Sequence, residues 1–134
     1  MASVKFKVLN EKDFEKKLRG QSKDITQNII RAVNSAATNT RNTAVVSILQ
    51  NSRSGPQVTR YNPKRTIRVS AEGDPPASDS GFLANNISVK IDADGFGASV
   101  LSNADYSEFL EFGTIKMAAR PFMQPALEEN KKKI

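Results

Sequence analysis

From residue 24 to about residue 51 the chain runs without a proline or a glycine, and Ile25, Ile29, Val33, Ala36, Thr40, Ala44 and Ile48 recur at steps of three and four. That spacing lines one side of a helix, so the segment predicts a long amphipathic helix whose apolar stripe must be covered by something else. Much of the stripe is small: Ala32, Ala36, Ala37 and Ala44 stand where leucine is more usual. Small residues allow close approach, either of the chain's own sheet or of a second subunit. With 134 residues in all, the chain has room for one core around such a helix, which makes 1–134 a single domain.

The segments on either side supply the cover. Residues 3–9, "SVKFKVL", alternate Val4, Phe6 and Val8 against Ser3, Lys5 and Lys7, the pattern of a half-buried strand. Asn10 then offers an N-cap, with Phe14 and Leu18 at helical spacing and Gly20 closing a short helix. Further on, "NISVKID" alternates Ile87, Val89 and Ile91, Asp94-Gly95 supplies a turn, and "FGASVLS" alternates Phe96, Ala98 and Val100, which reads as a β-hairpin. A short helix is expected from about Asp105 and a last one from near Pro125, a residue suited to a first helical turn. Glu128 and Glu129 near its start and Lys131, Lys132 and Lys133 at its end match the helix dipole. The fold class is therefore α+β: a small, mainly antiparallel sheet packed against a long α-helix, with short N-terminal and C-terminal helices.

Residues 52–81 fit none of these patterns. They carry Gly55, Pro56, Pro63, Gly73, Pro75, Pro76 and Gly81, and only "TIRVS" within them alternates like a short strand. A long irregular and mobile loop is expected, and loops of that length usually serve a function. Its charge is one-sided: Arg53, Arg60, Lys64, Arg65 and Arg68 accompany Tyr61 with no acid among them. Such a segment can follow phosphates with Tyr61 stacked on a base, meet an acidic protein surface, or simply be solvated.

Chemistry is limited by what the chain lacks. It contains no cysteine and no histidine, which removes disulfides, the commonest zinc ligands, the commonest general base and the usual nucleophile pairs. Glu108 and Glu111 lie three apart with Asp105 nearby, a solvated face more than an acid–base pair. Asp74, Asp79, Asp92 and Asp94 fall in two separate turns without the spacing of a calcium loop. "DGFG" at 94–97 sits in a hairpin turn, not between strand and helix where a phosphate loop belongs. The expected class is a binding or assembly protein: no enzyme, no metal, no cofactor. The start, "MASVKFKVLNEKDF", has charges where a signal peptide needs an apolar centre, and no run approaches membrane-spanning length, so a protein made where it works, without membrane contact, is expected. A net charge of +6 permits contact with nucleic acid or with an acidic protein and selects neither.

The densest stretch is "YSEFLEFGTIKMAARPFMQPAL", 106–127. Tyr106, Phe109 and Leu110 follow helical spacing as one apolar face, and Gly113 is placed as a left-handed C-terminal cap. Pro121 biases Arg120 to extended backbone, and Pro125 does the same to Gln124, so Phe122 and Met123 sit on a rigid connection that either plugs the domain's own core or meets a neighbour. Arg120 and Glu111 are the candidates for a buried or intersubunit ion pair.

This stretch resembles the signature of the tail-completion, or head–tail joining, proteins of long-tailed double-stranded-DNA bacteriophages, the minor tail component family. The residues in register are Ala104, Tyr106, Leu110, Glu111, Phe112, Gly113, Thr114, Met117, Ala119, Arg120, Pro121, Phe122, Pro125, Ala126 and Leu127. A second segment, "EGDPPASDSGFLANNISV" at 72–89, is similar to the family's Gly-x-Pro-Pro, Thr-Gly-x-Leu and Ser-Ile elements, with Ser80 for the usual Thr and Asn86 for the Ser before Ile87. Ser107 stands where Ala is commoner.

The resemblance implies a late virion protein without catalysis. It implies a homo-oligomeric ring, a hexamer being one stoichiometry it allows, at the head-proximal end of the tail. The partners are then the head connector or head-closure protein on one side and the tail terminator and tail tube protein on the other, with transient contact to the viral double-stranded DNA. Assembly would take place in the host cytoplasm, with Arg53, Arg60, Tyr61, Lys64, Arg65 and Arg68 as the residues facing a partner or the DNA channel. The alternatives are a tail terminator that controls tail length and a basic nucleic-acid-binding module.

Overall fold

The computed structural model describes residues 2–7, 12, 23–51, 53–61 and 63–133. The short helix expected over 10–20 lies, apart from Lys12, outside the described residues. Strand β1 is Ser3–Lys7, helix α1 is Lys23–Leu49, strands β2 and β3 are Gln57–Tyr61 and Lys64–Arg68, helix α2 is Phe82–Asn85, strands β4 and β5 are Ile87–Ile91 and Gly97–Ser102, and helices α3 and α4 are Ser107–Phe112 and Met123–Lys131.

Strands β1, β5 and β4, in that order, form an antiparallel three-stranded sheet. The register sets Val4 opposite Val100 and Phe6 opposite Ala98 on one side of β5, and Val89 and Ile91 opposite the same two residues on the other. Because side chains alternate along a strand, this register gathers Val4, Phe6, Ile87, Val89, Ala98 and Val100 on one face. Helix α1 packs on that face and also against α4. The alanine-rich stripe resolves in favour of the protein's own sheet: Ala37, Ala44 and Ile48 join Ala98, Val100 and Ile87 in one core. Small side chains on both layers let helix and sheet approach closely. Ile25, at the start of the stripe, is exposed, as is Ala32.

Helix α4 closes the core through Phe122, Met123 and Ala126. The Asn130 side chain ties it to α1, donating from Nδ2 to Thr43 Oγ1 at 2.9 Å. The helix begins at Met123, two residues ahead of the proline expected to open it.

Residues 52–81 are not irregular throughout. They contain a hairpin, β2–β3, with Arg60 opposite Arg65 and Tyr61 opposite Lys64. Strand β3 overlaps "TIRVS", the one stretch here expected to form a short strand, while β2 is exposed at every position and so carries no hydrophobic pattern to announce it. The ladder continues at its root, where Gly55 N–H donates to Val69 O at 2.8 Å and Val69 N–H to Pro56 O at 3.0 Å. A Cβ at position 55 would lie 2.1 Å from the Ser70 carbonyl oxygen, so only glycine fits this crossing.

Candidate interaction surface

The signature stretch divides into an inner and an outer set. Glu111 is buried in the last turn of α3, and its carboxylate points at the start of α4. Oε2 accepts from Phe122 N–H at 2.9 Å and from Met123 N–H at 3.0 Å, and Oε1 accepts from Gln124 N–H at 2.9 Å. These are the first backbone donors of α4, which have no partner within the helix. The fourth position is Pro125, which has no N–H to satisfy. One carboxylate and one proline thus account for all four leading donor positions, with the negative charge at the positive end of the helix.

Within the chain this replaces the buried ion pair expected between Glu111 and Arg120. No ion pair joins them; the carboxylate is taken up by three amides, which burial makes costly to leave unpaired. Arg120 instead donates from its backbone to Leu110 O at 2.6 Å and from Nε to Ser70 O at 3.4 Å, tying the joint to the root of the β2–β3 hairpin. Gly113 ends α3 and its N–H donates to Phe109 O, but with φ 76° and ψ 176° it is not in the left-handed helical conformation expected of it. That region belongs to glycine, and a Cβ here would also lie 2.8 Å from Ala119 N. Thr114 pairs with Met117 across a tight turn, its N–H donating to Met117 O at 2.8 Å. Pro121 is half-buried and delivers Phe122, fully buried, into the core.

The outer set departs from expectation most. Tyr106 and Phe109, expected to share one apolar face with Leu110, turn outward with Phe112 and Ile115, Phe112 at 77% exposure and Ile115 wholly exposed. Only Leu110 of the expected face packs against the core. Phe82 of α2 extends the strip, its ring centroid 6.2 Å from that of Tyr106. An exposed strip of this kind is a candidate contact surface.

Between the strip and the hairpin root runs a groove of about 380 Å³, lined among others by Arg60, Ser70, Asp79, Phe82, Tyr106 and Arg120. Burial, the larger cause, and the nearby Asp79 carboxylate both raise the Tyr106 phenol above its ordinary range.

The basic residues of the hairpin are mostly engaged. Arg65 Nη2 donates to both Asp79 oxygens at 2.8 Å, and Arg60 Nε lies 3.9 Å from Asp79 Oδ2. Arg68 Nη1 donates to Gly55 O at 3.2 Å and Arg53 Nη2 to Ser78 O. The Lys64 ammonium makes no ion pair or hydrogen bond among the described residues, and the Tyr61 ring beside it is 79% exposed. Among the described residues no cluster of acids is arranged to hold a metal ion. The sequence missed the pivotal role of Asp79; five bases without an acid were the signal that a counter-charge had to come from another segment. Comparison with protein families, with curated proteins and with solved structures finds no match to this chain.

Proposed function

We propose that this chain is a virion structural protein that completes the head-proximal end of the tail of a long-tailed double-stranded-DNA phage and joins it to the head connector, acting as a ring of identical subunits around the DNA passage. The observation that carries the reading is the division within 106–127: Glu111, Gly113, Phe122 and Pro125 close the fold, while Tyr106, Phe109, Phe112 and Ile115 face outward. A subunit that must be stable alone and adhesive in an assembly needs both sets. The same stretch carries the resemblance to tail-completion proteins, and the net charge of +6 suits a ring around DNA.

The test is complementation. In particles produced without this protein, full heads and tails of normal length that fail to join are expected, and adding purified protein restores joining. Tails of uncontrolled length would instead favour a terminator. A nucleic-acid module is the weaker reading, because Arg53, Arg60, Arg65 and Arg68 are engaged with the protein's own oxygens. Tight, steeply salt-dependent binding to duplex or single strands by the free protein would revive it.

A further inference from the structure

We propose that in the assembly the β2–β3 arm of each copy lies on the outward aromatic strip of α3 of the adjacent copy. This rests on the self-assembly part of the function proposed above and adds which surfaces meet. The two surfaces are complementary in charge. The arm and its root, 53–68, carry five basic residues and no acid, whereas 91–115 carries Asp92, Asp94, Asp105, Glu108 and Glu111 and no base. Of those acids, Asp105 and Glu108 lie exposed beside the strip.

They are also complementary in what they leave uncovered. A two-stranded hairpin without a packed face is marginal in water, and this one shows Val58 and Tyr61 to solvent. The cross-strand register puts Val58, Arg60, Arg65 and Ile67 on the face that leans on Asp79, so Thr59, Tyr61, Lys64 and Thr66 form the opposite, open face. A tyrosine, a lysine and two threonines make a contact face for an acidic aromatic strip: ring against ring, ammonium against carboxylate. Arm and strip are different patches of one molecule, so the contact repeats head to tail and closes into a ring when the rotation permits.

The natural absence of cysteine makes the test direct. Tyr61→Cys and Phe112→Cys, both at exposed positions, are prepared as separate full-length proteins with different tags, mixed, and treated with a short bismaleimide. The control pairs Tyr61→Cys with Val46→Cys on the exposed side of α1. Linked heterodimer on the order of tenfold above the control is expected, and Phe109→Ser with Phe112→Ser should weaken self-association on the order of thirtyfold with its melting temperature unchanged. The double variant Tyr61→Cys/Phe112→Cys should give a ladder of covalent oligomers; a cross-link within one chain would overturn the proposal. An assembled oligomer or joined particle without the intersubunit link overturns the docking and leaves the ring reading standing. A chain that stays monomeric alone and in joined particles overturns both.

Discussion

The joint between α3 and α4 and the β2–β3 arm are both short, proline-containing and charged, yet they use charge in opposite ways. At the joint a single buried carboxylate meets three helix-end amides, and the proline occupies the one position that has no donor to offer. On the arm two arginines share one half-exposed aspartate, with water free to take its place. The first arrangement fixes the position of a helix. The second holds a surface element lightly.

The sharpest way to break the contrast is Glu111→Ala. It leaves three backbone donors without an acceptor where burial denies them water, and a loss of about 4 kcal/mol is expected. In a chain of this size that lowers the melting temperature by roughly 10 °C or more. Calorimetry reads this directly, and Glu111→Gln, which keeps an accepting carbonyl, should recover part of the loss. Gly113→Ala comes next: a side chain at positive φ with a Cβ 2.8 Å from Ala119 N should cost about 2–3 kcal/mol by the same measurement. If either variant melts like the parent, the joint is not the rigid half of the comparison.

The arm should respond differently. Asp79→Ala is expected to change global stability by less than about 1 kcal/mol, because the pair it removes is open to solvent. Its effect should appear locally, as faster amide exchange in β2 and β3, and added salt should erase the difference from the parent. The smallest effect concerns Tyr106. Its folded form holds the phenol proton more tightly than the unfolded chain does, so stability should fall as pH rises above the ordinary tyrosine range of about 10. In a Tyr61→Phe background the phenolate absorbance reports Tyr106 alone, and Asp79→Asn should lower its midpoint only part of the way, since burial is the larger cause.

The same contrast explains what could be read from the residues. Helix α1, strand β1 and the β4–β5 hairpin were legible because each has apolar residues at its own period and packs them in the core, whereas the last two helices were legible from the glycine, proline and charges at their ends. Of the arm only β3 was foreshadowed, by Ile67 and Val69; β2 was not, because nothing on it is buried enough to leave a pattern. Within 106–127 the helix end at Gly113 and the turn toward a last helix near Pro125 followed from backbone preference, but the conformation of Gly113, the choice of core over neighbour for Phe122 and the partner of Glu111 did not. An acid and an arginine nine positions apart invite an ion pair on paper. The helix that begins at Met123 offered the carboxylate three donors at once, and that competition depends on a fold, not on spacing. The outward turn of Phe109 and Phe112 was hidden for a related reason: helical spacing says which residues share a side, not which side is covered.

The pairing of β1 with β5 has a consequence for how the chain is made. Ser3–Lys7 emerges from the ribosome early, and its partner Gly97–Ser102 follows only after the long helix, the arm and β4. Until β5 is made the sheet that covers α1 is incomplete, so the apolar stripe of the finished helix waits in the open. Closure of this core therefore depends on long-range pairing, which is slow to form and leaves apolar surface open meanwhile.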